Sequence, residues 1–278
     1  MLTVFIAGAE CPFTCSFCDL WRYTIDGPTP AGAVPRQLED TLRAVRGVPL
    51  DRIKLYNASN FFDRRAVPDV DADRIAELCA PFSGVTVESH ASTLGPATMD
   101  FARRLRGRLE VAIGLETIHP EAIRHLNKRL DLGLFERAAS TLGDNGIDLR
   151  AFVLLGAPDV PPDASVDWAV RSAEFAASHG SAIVSIIPVR GGNGEMERLA
   201  ALGRFTPPTL GQLERTLDRC LGWNHTAVAA DLWDVDRLPA CATCRAARVD
   251  RLRRINLSGV GEPAVRCESC SESKLMMS

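Results

Sequence analysis

The stretch LTVFIAGAECPFTCSFCDL (residues 2–20) joins a short apolar run to a loop that carries three cysteines. The run LTVFIAG is rich in β-branched and aromatic residues, and it predicts a buried strand. Cys11, Cys15 and Cys18 follow with the spacing C-x-x-x-C-x-x-C. A proline-containing loop directly after a strand is a poor place to bury three thiols in a core. The spacing therefore favours a metal or cluster site.

Five more apolar runs follow along the chain, and amphipathic stretches separate them. The runs are RIKLYNAS, GVTVESH, LEVAIGLET, LRAFVLLGAP and AIVSIIPV. The amphipathic stretches cover residues 37–46, 72–80, 97–105, 121–143, 165–178 and 210–221. This alternation is typical of parallel strands joined by crossover helices, and it predicts an α/β fold. The segment TAVAADLWDV (residues 226–235) is a candidate for one more strand.

Composition excludes some classes of function. The chain has 278 residues and a formal net charge of −3, so no overall positive field supports autonomous binding to nucleic acid. The N-terminal apolar run is too short for a membrane span and lacks a basic leader, which predicts a cytoplasmic protein without a membrane partner. In that compartment the nine cysteines are expected to be metal ligands rather than disulfides.

The three clustered thiols leave more than one ligand open. A [4Fe–4S] cluster held by three cysteines keeps one iron without a protein ligand, and that iron is free to bind a small molecule. The alternatives are a zinc site completed by a distant His or Cys, and three unrelated core cysteines.

A second cysteine group lies near the C-terminus. Cys241, Cys244, Cys267 and Cys270 form two C-x-x-C pairs with 22 residues between them. Four thiolates from two such pairs suit tetrahedral zinc or an auxiliary iron–sulfur cluster. We expect a metal-binding module over residues 226–278, after a main domain over residues 1–225.

Two glutamates end strand-like runs at matching positions. In VTVES, Glu88 shares a face with Thr86, and in VAIGLET, Glu116 shares a face with Ala112 and Gly114. This parity predicts that both carboxylates point to the inner face at the carboxyl ends of parallel strands, where such folds carry their sites. A solvated strand-end carboxylate is the alternative for each.

Two further side chains are candidate substrate contacts. His90 ends the third run. It is a candidate substrate contact or acid–base group, and a structural histidine is the alternative. Arg190 precedes GGNGEMER, and a glycine-rich loop with an arginine suits a phosphate or carboxylate. The loop lacks the strand–loop–helix fingerprint of a dinucleotide or Walker site.

With Phe17 just before its last cysteine, the loop resembles the cysteine loop of the radical S-adenosylmethionine (SAM) superfamily. The resemblance implies a partial (β/α)6 TIM-like barrel and a [4Fe–4S] cluster ligated by Cys11, Cys15 and Cys18. It also implies an enzyme that cleaves SAM to a 5′-deoxyadenosyl radical, which abstracts hydrogen from its substrate. An external electron donor such as flavodoxin or ferredoxin is implied as a partner.

The stretches VESHAS, IGLETIHPEAIRHLNKR and LRAFVLLGAPD are similar to the elongator-type and coproporphyrinogen-oxidase-type branch. By this similarity Glu88 and Lys128 contact the methionine moiety, and Glu116 contacts the ribose. Asn57, Ala58 and Ser59 stand where that branch has Gly-Gly-Glu, a segment whose backbone binds the methionine amino group.

The segments YNASNFFDRRAVP and RFTPPTLGQLER, with the cysteine-bearing tail, are similar to the radical subunits of archaeosine synthases and their bacterial relatives. The substrate implied is a small molecule or a modified nucleoside. One alternative is a tRNA-modifying subunit that needs a partner protein for RNA affinity. Another is a non-catalytic zinc-binding protein.

Overall fold

Seven parallel strands form one sheet in which strand order follows chain order. The computed structural model describes residues 1–270. The strands are β1 (Leu2–Ile6), β2 (Arg52–Asn57), β3 (Gly84–Glu88), β4 (Arg108–Glu116), β5 (Asp148–Leu155), β6 (Ser181–Pro188) and β7 (Ala227–Ala230). Strand order that follows chain order is the topology of a (β/α) barrel, whereas doubly wound sheets reverse their order.

The predicted parallel α/β class is therefore confirmed, with a seventh strand added to the six of the (β/α)6 pattern. All six apolar runs form strands, and the additional candidate forms β7, which pairs in parallel with β6. The proposed boundary between residues 225 and 226 stays a prediction. Residues 271–278 of the proposed module lie outside the described residues.

Helices follow most of the amphipathic stretches. They are α1 (Ala33–Ala44), α2 (Ala72–Cys79), α3 (Pro96–Arg104), α4 (Ala122–His125), α5 (Leu132–Asp144), α6 (Ser165–Ser178), α7 (Glu195–Ala201), α8 (Leu210–Cys220) and α9 (Arg245–Ser258). None of the helices among the described residues has the length and apolar character needed to cross a membrane.

The amphipathic stretch 121–143 is not one helix, which corrects the sequence-based expectation. Helix α4 ends at His125, and α5 begins only at Leu132. Between them, Asn127 (φ 54°) and Arg129 (φ 57°) adopt left-handed backbone conformations that interrupt a right-handed helix. The turn between α4 and α5 carries Lys128.

The chain divides into two compact units. The first consists of Met1–Gly114 and Asn127–Arg150, and the second consists of Leu115–Leu126 and the chain from Ala151 onward. In the first unit, β1 to β4 pair in parallel, and residues such as Ile53, Val85 and Val111 are fully buried. Burial of these branched side chains away from water stabilises the packed sheet.

Candidate cluster and cofactor site

The cysteine loop begins directly after β1 and is closed at its base by backbone contacts. Ala9 bridges Ile25 in parallel, and the Ile25 N–H donates to the Gly8 carbonyl at 2.9 Å. The Thr29 hydroxyl accepts from the Ala9 N–H at 2.8 Å. The loop therefore leaves the carboxyl end of β1 and returns to it, as expected for a site at the carboxyl edge of a parallel sheet.

The cysteines within this loop lie farther apart than the ligands of a single metal ion. All three are partly exposed, and the Cys18 N–H donates to the Cys15 carbonyl at 3.1 Å. A tetrahedral zinc site needs sulfurs about 3.8 Å apart, given a Zn–S distance of about 2.3 Å. Among the described residues, only the C-terminal cysteines bring three or more ligand atoms within 4.8 Å of one another. The loop thus does not converge on a single ion, whereas a cluster takes each thiolate on a different iron.

The turn that carries Lys128 is attached to the cysteine loop. The side-chain amide of Asn127 donates to the Thr14 carbonyl at 3.0 Å and also bonds the Thr14 hydroxyl. Left-handed conformations on both sides of Lys128 cost energy and are typical of functional sites. Burial raises the pKa of the Cys18 thiol, and the nearby Lys128 ammonium acts against that rise. The half-buried Lys128 therefore lies close to a predicted cluster ligand.

His90 belongs to the same group of residues. Its ring stacks on Phe13 of the cysteine loop, with ring centroids 4.0 Å apart. Its Nδ1 accepts from the Ser92 N–H at 3.1 Å. Burial, followed by the charge of Lys128, lowers the pKa of His90 to about 4. The imidazole is consequently neutral at pH 7.

The segment after β2 contains buried polar atoms that lack hydrogen-bond partners. Among residues 1–270, neither side-chain amide atom of Asn57 has a hydrogen-bond partner, and the Ser59 hydroxyl has none either. Ala58 between them is half-buried. A buried polar group without a partner costs about 1–3 kcal/mol, so such groups require an explanation. The resemblance places the methionine amino group of SAM against the backbone of this same segment.

Glu88 lies on a charged face of the first unit. Lys54 of β2 is opposite Thr86 of β3, and Thr86 is opposite Glu110 of β4. The Glu110 carboxylate accepts from the Thr86 hydroxyl and from the Arg150 guanidinium, both at 2.9 Å. Glu88 lies two residues beyond Thr86 in the same strand and therefore on the same face. Burial and the charge of Arg150 lower the pKa of Lys54, and Glu88 acts in the opposite direction.

Other predicted residues lie elsewhere on the chain. Glu116 is the last residue of β4 and is buried, with a left-handed φ of 67° that is uncommon for a glutamate. Phe17 is half-buried in the cysteine loop. Arg190 follows β6 and pairs with Asp231 after β7 at 3.0 Å. The roles predicted for these three side chains stay predictions.

The glycine-rich loop after Arg190 is closed by a glutamate. The Glu197 carboxylate accepts from the N–H groups of Gly192 and Gly194 at 2.6 and 2.8 Å. These amides are therefore engaged by a side chain of the same loop.

The four C-terminal cysteines, hereafter the tail cysteines, come together in the second unit. Their Sγ atoms all lie within 4.8 Å of one another. The Sγ atoms of Cys241 and Cys267 are 4.0 Å apart, and those of Cys244 and Cys270 are 3.7 Å apart. These separations match the edge of about 3.8 Å expected for four sulfurs around one tetrahedral ion at about 2.3 Å.

The surroundings of the tail cysteines shift their thiol pKa values in different directions: burial raises the pKa of Cys244, and hydrogen bonding to Cys244 and Cys241 raises that of Cys270 to about 12. Backbone N–H groups of Cys244 and Thr243 lower the pKa of Cys241 to about 6. The Arg248 guanidinium donates to the Cys270 sulfur at 3.8 Å. Since thiolates are the form that binds metal, these donors favour a metal centre.

Sequence reasoning missed three residues near the cysteine loop. They are Phe13, Asn127 and Asn60, whose amide nitrogen lies 3.4 Å from the Cys11 sulfur. An asparagine just after a strand, or between two helical stretches, is typical of a turn, so the sequence contained no separate signal for these contacts.

Comparisons with known proteins support the fold. No family model matches the sequence, and no curated protein matches it. Three solved structures superpose over most of the chain. Elp3 of the archaeon Methanocaldococcus infernus gives a TM-score of 0.61 at 12% identity and covers 91% of this chain. A radical SAM methyltransferase from Sphaerobacter thermophilus gives 0.59 at 18% identity, covering 86% of this chain and 69% of that one. Methylornithine synthase (PylB) gives 0.55 at 13% identity, covering 98% of this chain and 85% of that one.

The chain spans 63% of the length of the Elp3 chain. At identities of this size the likeness establishes a shared fold, which is the fold that the resemblance implies.

Proposed function

We propose that this protein is a radical SAM enzyme. The observation that carries the proposal is the C-x-x-x-C-x-x-C loop at the carboxyl end of β1, in a fold shared with radical SAM structures. When bound and reduced by an external electron donor, a [4Fe–4S] cluster would supply the electron that cleaves bound SAM to methionine and a 5′-deoxyadenosyl radical able to take hydrogen from a substrate.

The loop fits a cluster by its chemistry. Cys11, Cys15 and Cys18 would hold three irons, since thiolates are the usual ligands of such clusters. Their arrangement does not suit one zinc ion among the described residues, which argues against the non-catalytic zinc reading for this loop.

Several residues of the first unit fit the cosubstrate. Asn57 and Ser59 would bind its amino group through buried polar atoms that have no partner among the described residues. Lys128 would pair with its carboxylate, because the Asn127–Thr14 contact holds this turn against the cysteine loop. Glu88, and Glu116 of the second unit, keep the contacts that the resemblance implies for them.

The tail cysteines suit zinc better than an auxiliary cluster. Their sulfur separations of 3.7 and 4.0 Å fit four ligands on one ion. Four cysteines on a [4Fe–4S] cluster each bind a different iron, so their sulfurs lie farther apart. We therefore assign the tail a structural zinc ion.

The substrate is proposed only by class, as a small molecule or a modified nucleoside, with a flavodoxin or ferredoxin as electron donor. Autonomous tRNA binding finds no support in helix α9, the most basic segment. Four of its five arginines are paired with acidic residues: Arg248 and Arg251 with Glu214, Arg253 with Asp250, and Arg254 with Glu262. The fifth, Arg245, donates to the backbone carbonyls of Asp236 and Leu238. A neutralised helix makes a poor electrostatic footprint for RNA.

The test is anaerobic reconstitution with iron and sulfide, followed by reduction in the presence of SAM. We expect a thiolate-to-iron absorption band and the products methionine and 5′-deoxyadenosine. The matched control replaces all three loop cysteines with alanine and keeps the tail cysteines. Equal iron content and equal product in that control would refute the proposal.

A further inference from the structure

Asn60 is a buried side chain that connects the cysteine loop to the end of β3. It is 4% exposed and lies three residues after β2. Its side-chain oxygen accepts from the His90 N–H at 2.7 Å, and its side-chain nitrogen lies 3.4 Å from the Cys11 sulfur. The two contacts join segments that are 30 and 49 residues away along the chain.

The orientation of the Asn60 amide follows from its partners. A backbone N–H is only a donor, so the atom facing His90 must be the amide oxygen. The amide nitrogen then faces Cys11, where it can only donate. The His90 N–H can only donate, so it fixes the orientation in which the Asn60 amide nitrogen donates to the Cys11 sulfur.

The position of Asn60 is held on both sides by further contacts. The Phe61 N–H donates to the Glu88 carbonyl at 2.8 Å, and the Phe62 N–H donates to the Ser89 hydroxyl at 3.2 Å. A donor that is both buried and anchored interacts more strongly with a charged acceptor than a solvated one does.

We infer that Asn60 is a positioning residue that donates a hydrogen bond to the Cys11 thiolate and thereby raises the reduction potential of the cluster. The inference rests on the proposed function. Reduction adds negative charge to the cluster, and a donor at a ligand sulfur stabilises that charge. Hydrogen bonds to the sulfurs are among the factors that set such potentials.

The test uses the reconstituted full-length protein without SAM, in anaerobic redox titrations. Asn60→Ala removes the donor, and Asn60→Asp keeps the acceptor for His90 but places a carboxylate oxygen against the sulfur. We expect both potentials to be more negative than the parent value, with the larger shift for Asn60→Asp. Iron release to a chelator should also be faster in both variants.

The matched control is Asn145→Asp, which adds the same charge at an exposed residue. Asn145 lies just before the amino end of β5, whereas the cysteine loop follows the carboxyl end of β1. Its potential and iron release should equal those of the parent. An Asn60 variant whose circular dichroism spectrum is that of a folded protein, but which retains no iron, would show the predicted faster iron release in its strongest form.

Potentials and release rates that overlay the parent in both Asn60 variants would overturn the inference. Loss of the folded circular dichroism signal in both would overturn it as well, because Asn60 would then be a packing residue. A parent protein that forms no cluster or cleaves no SAM would instead refute the proposed function. The two failures are therefore distinguishable.

Discussion

Replacing Lys128 tests the cosubstrate site at a single charge. Lys128→Met keeps most of the apolar stem of the side chain and removes the ammonium that the proposal pairs with the SAM carboxylate. The side chain is half-buried beside Cys18 and His90, so its ammonium is neither fully solvated nor fully buried.

The magnitude follows from the type of contact. A hydrogen bond to a charged group contributes about 1.5–3 kcal/mol. At about 1.4 kcal/mol per tenfold change, the loss weakens SAM binding by about one to two decades. Partial exposure and salt screening favour the lower end of that range.

The assay is equilibrium binding of SAM to the oxidised cluster protein, in which no turnover occurs. Lys128→Arg keeps the charge and should recover part of the affinity. Arg129→Ala is the matched control, because it removes a cation from the adjacent, exposed position. Iron content should be unchanged in all three variants. A Lys128→Met isotherm that overlays the parent's would show that this side chain lies outside the SAM site.

Three further results are expected. Metal analysis of the tail should find one zinc ion, which remains bound after an exposure to air that bleaches the loop cluster. Iron equivalent to two clusters, with no zinc, would show an auxiliary cluster instead. Glu110→Ala should lower the free energy of unfolding by about 3–5 kcal/mol in urea titrations, because it removes a partner of Arg150, whose side chain is only 11% exposed, and a change below 1 kcal/mol would refute that. Hydrogen bonding from Arg204 lowers the pKa of Asp159, so this carboxylate stabilises the fold above the unfolded-state pKa of about 3.9 and loses that effect as pH falls further. Asp159→Asn should flatten the stability curve below pH 4, and an unchanged acid limb would contradict the linkage.

Strands were predictable from the sequence because their residues repeat a local pattern, but the break before α5 was not. Ala122, Leu126 and Leu130 are all buried and spaced four residues apart, so the helical period continues straight through the turn. The sequence does not encode the Asn127–Thr14 contact in any local pattern. Helix α9 lies outside the amphipathic stretches found in the sequence. Its Arg251 is buried against Glu214 and Asp218, which no local pattern predicts.

The candidate site was predictable in part for the same reason. The cysteine spacings are local, and so is the parity that places Glu88 on the face of Thr86. Asn60 was not predictable, because its importance arises from two contacts made across 30 and 49 residues. Such contacts exist only once the sheet has formed.

In the first unit, stability and the proposed function depend on different parts of the strands. Midway along the strands, Glu110 satisfies both Thr86 and Arg150, so buried polar groups there have partners. At the carboxyl end of β2, Asn57 is buried and its amide has no partner among residues 1–270. An orphaned amide lowers stability by about 1–3 kcal/mol. Since an unsatisfied buried amide calls for an explanation, we expect the Asn57 amide to meet the proposed cosubstrate, and this expectation holds whichever substrate the protein transforms.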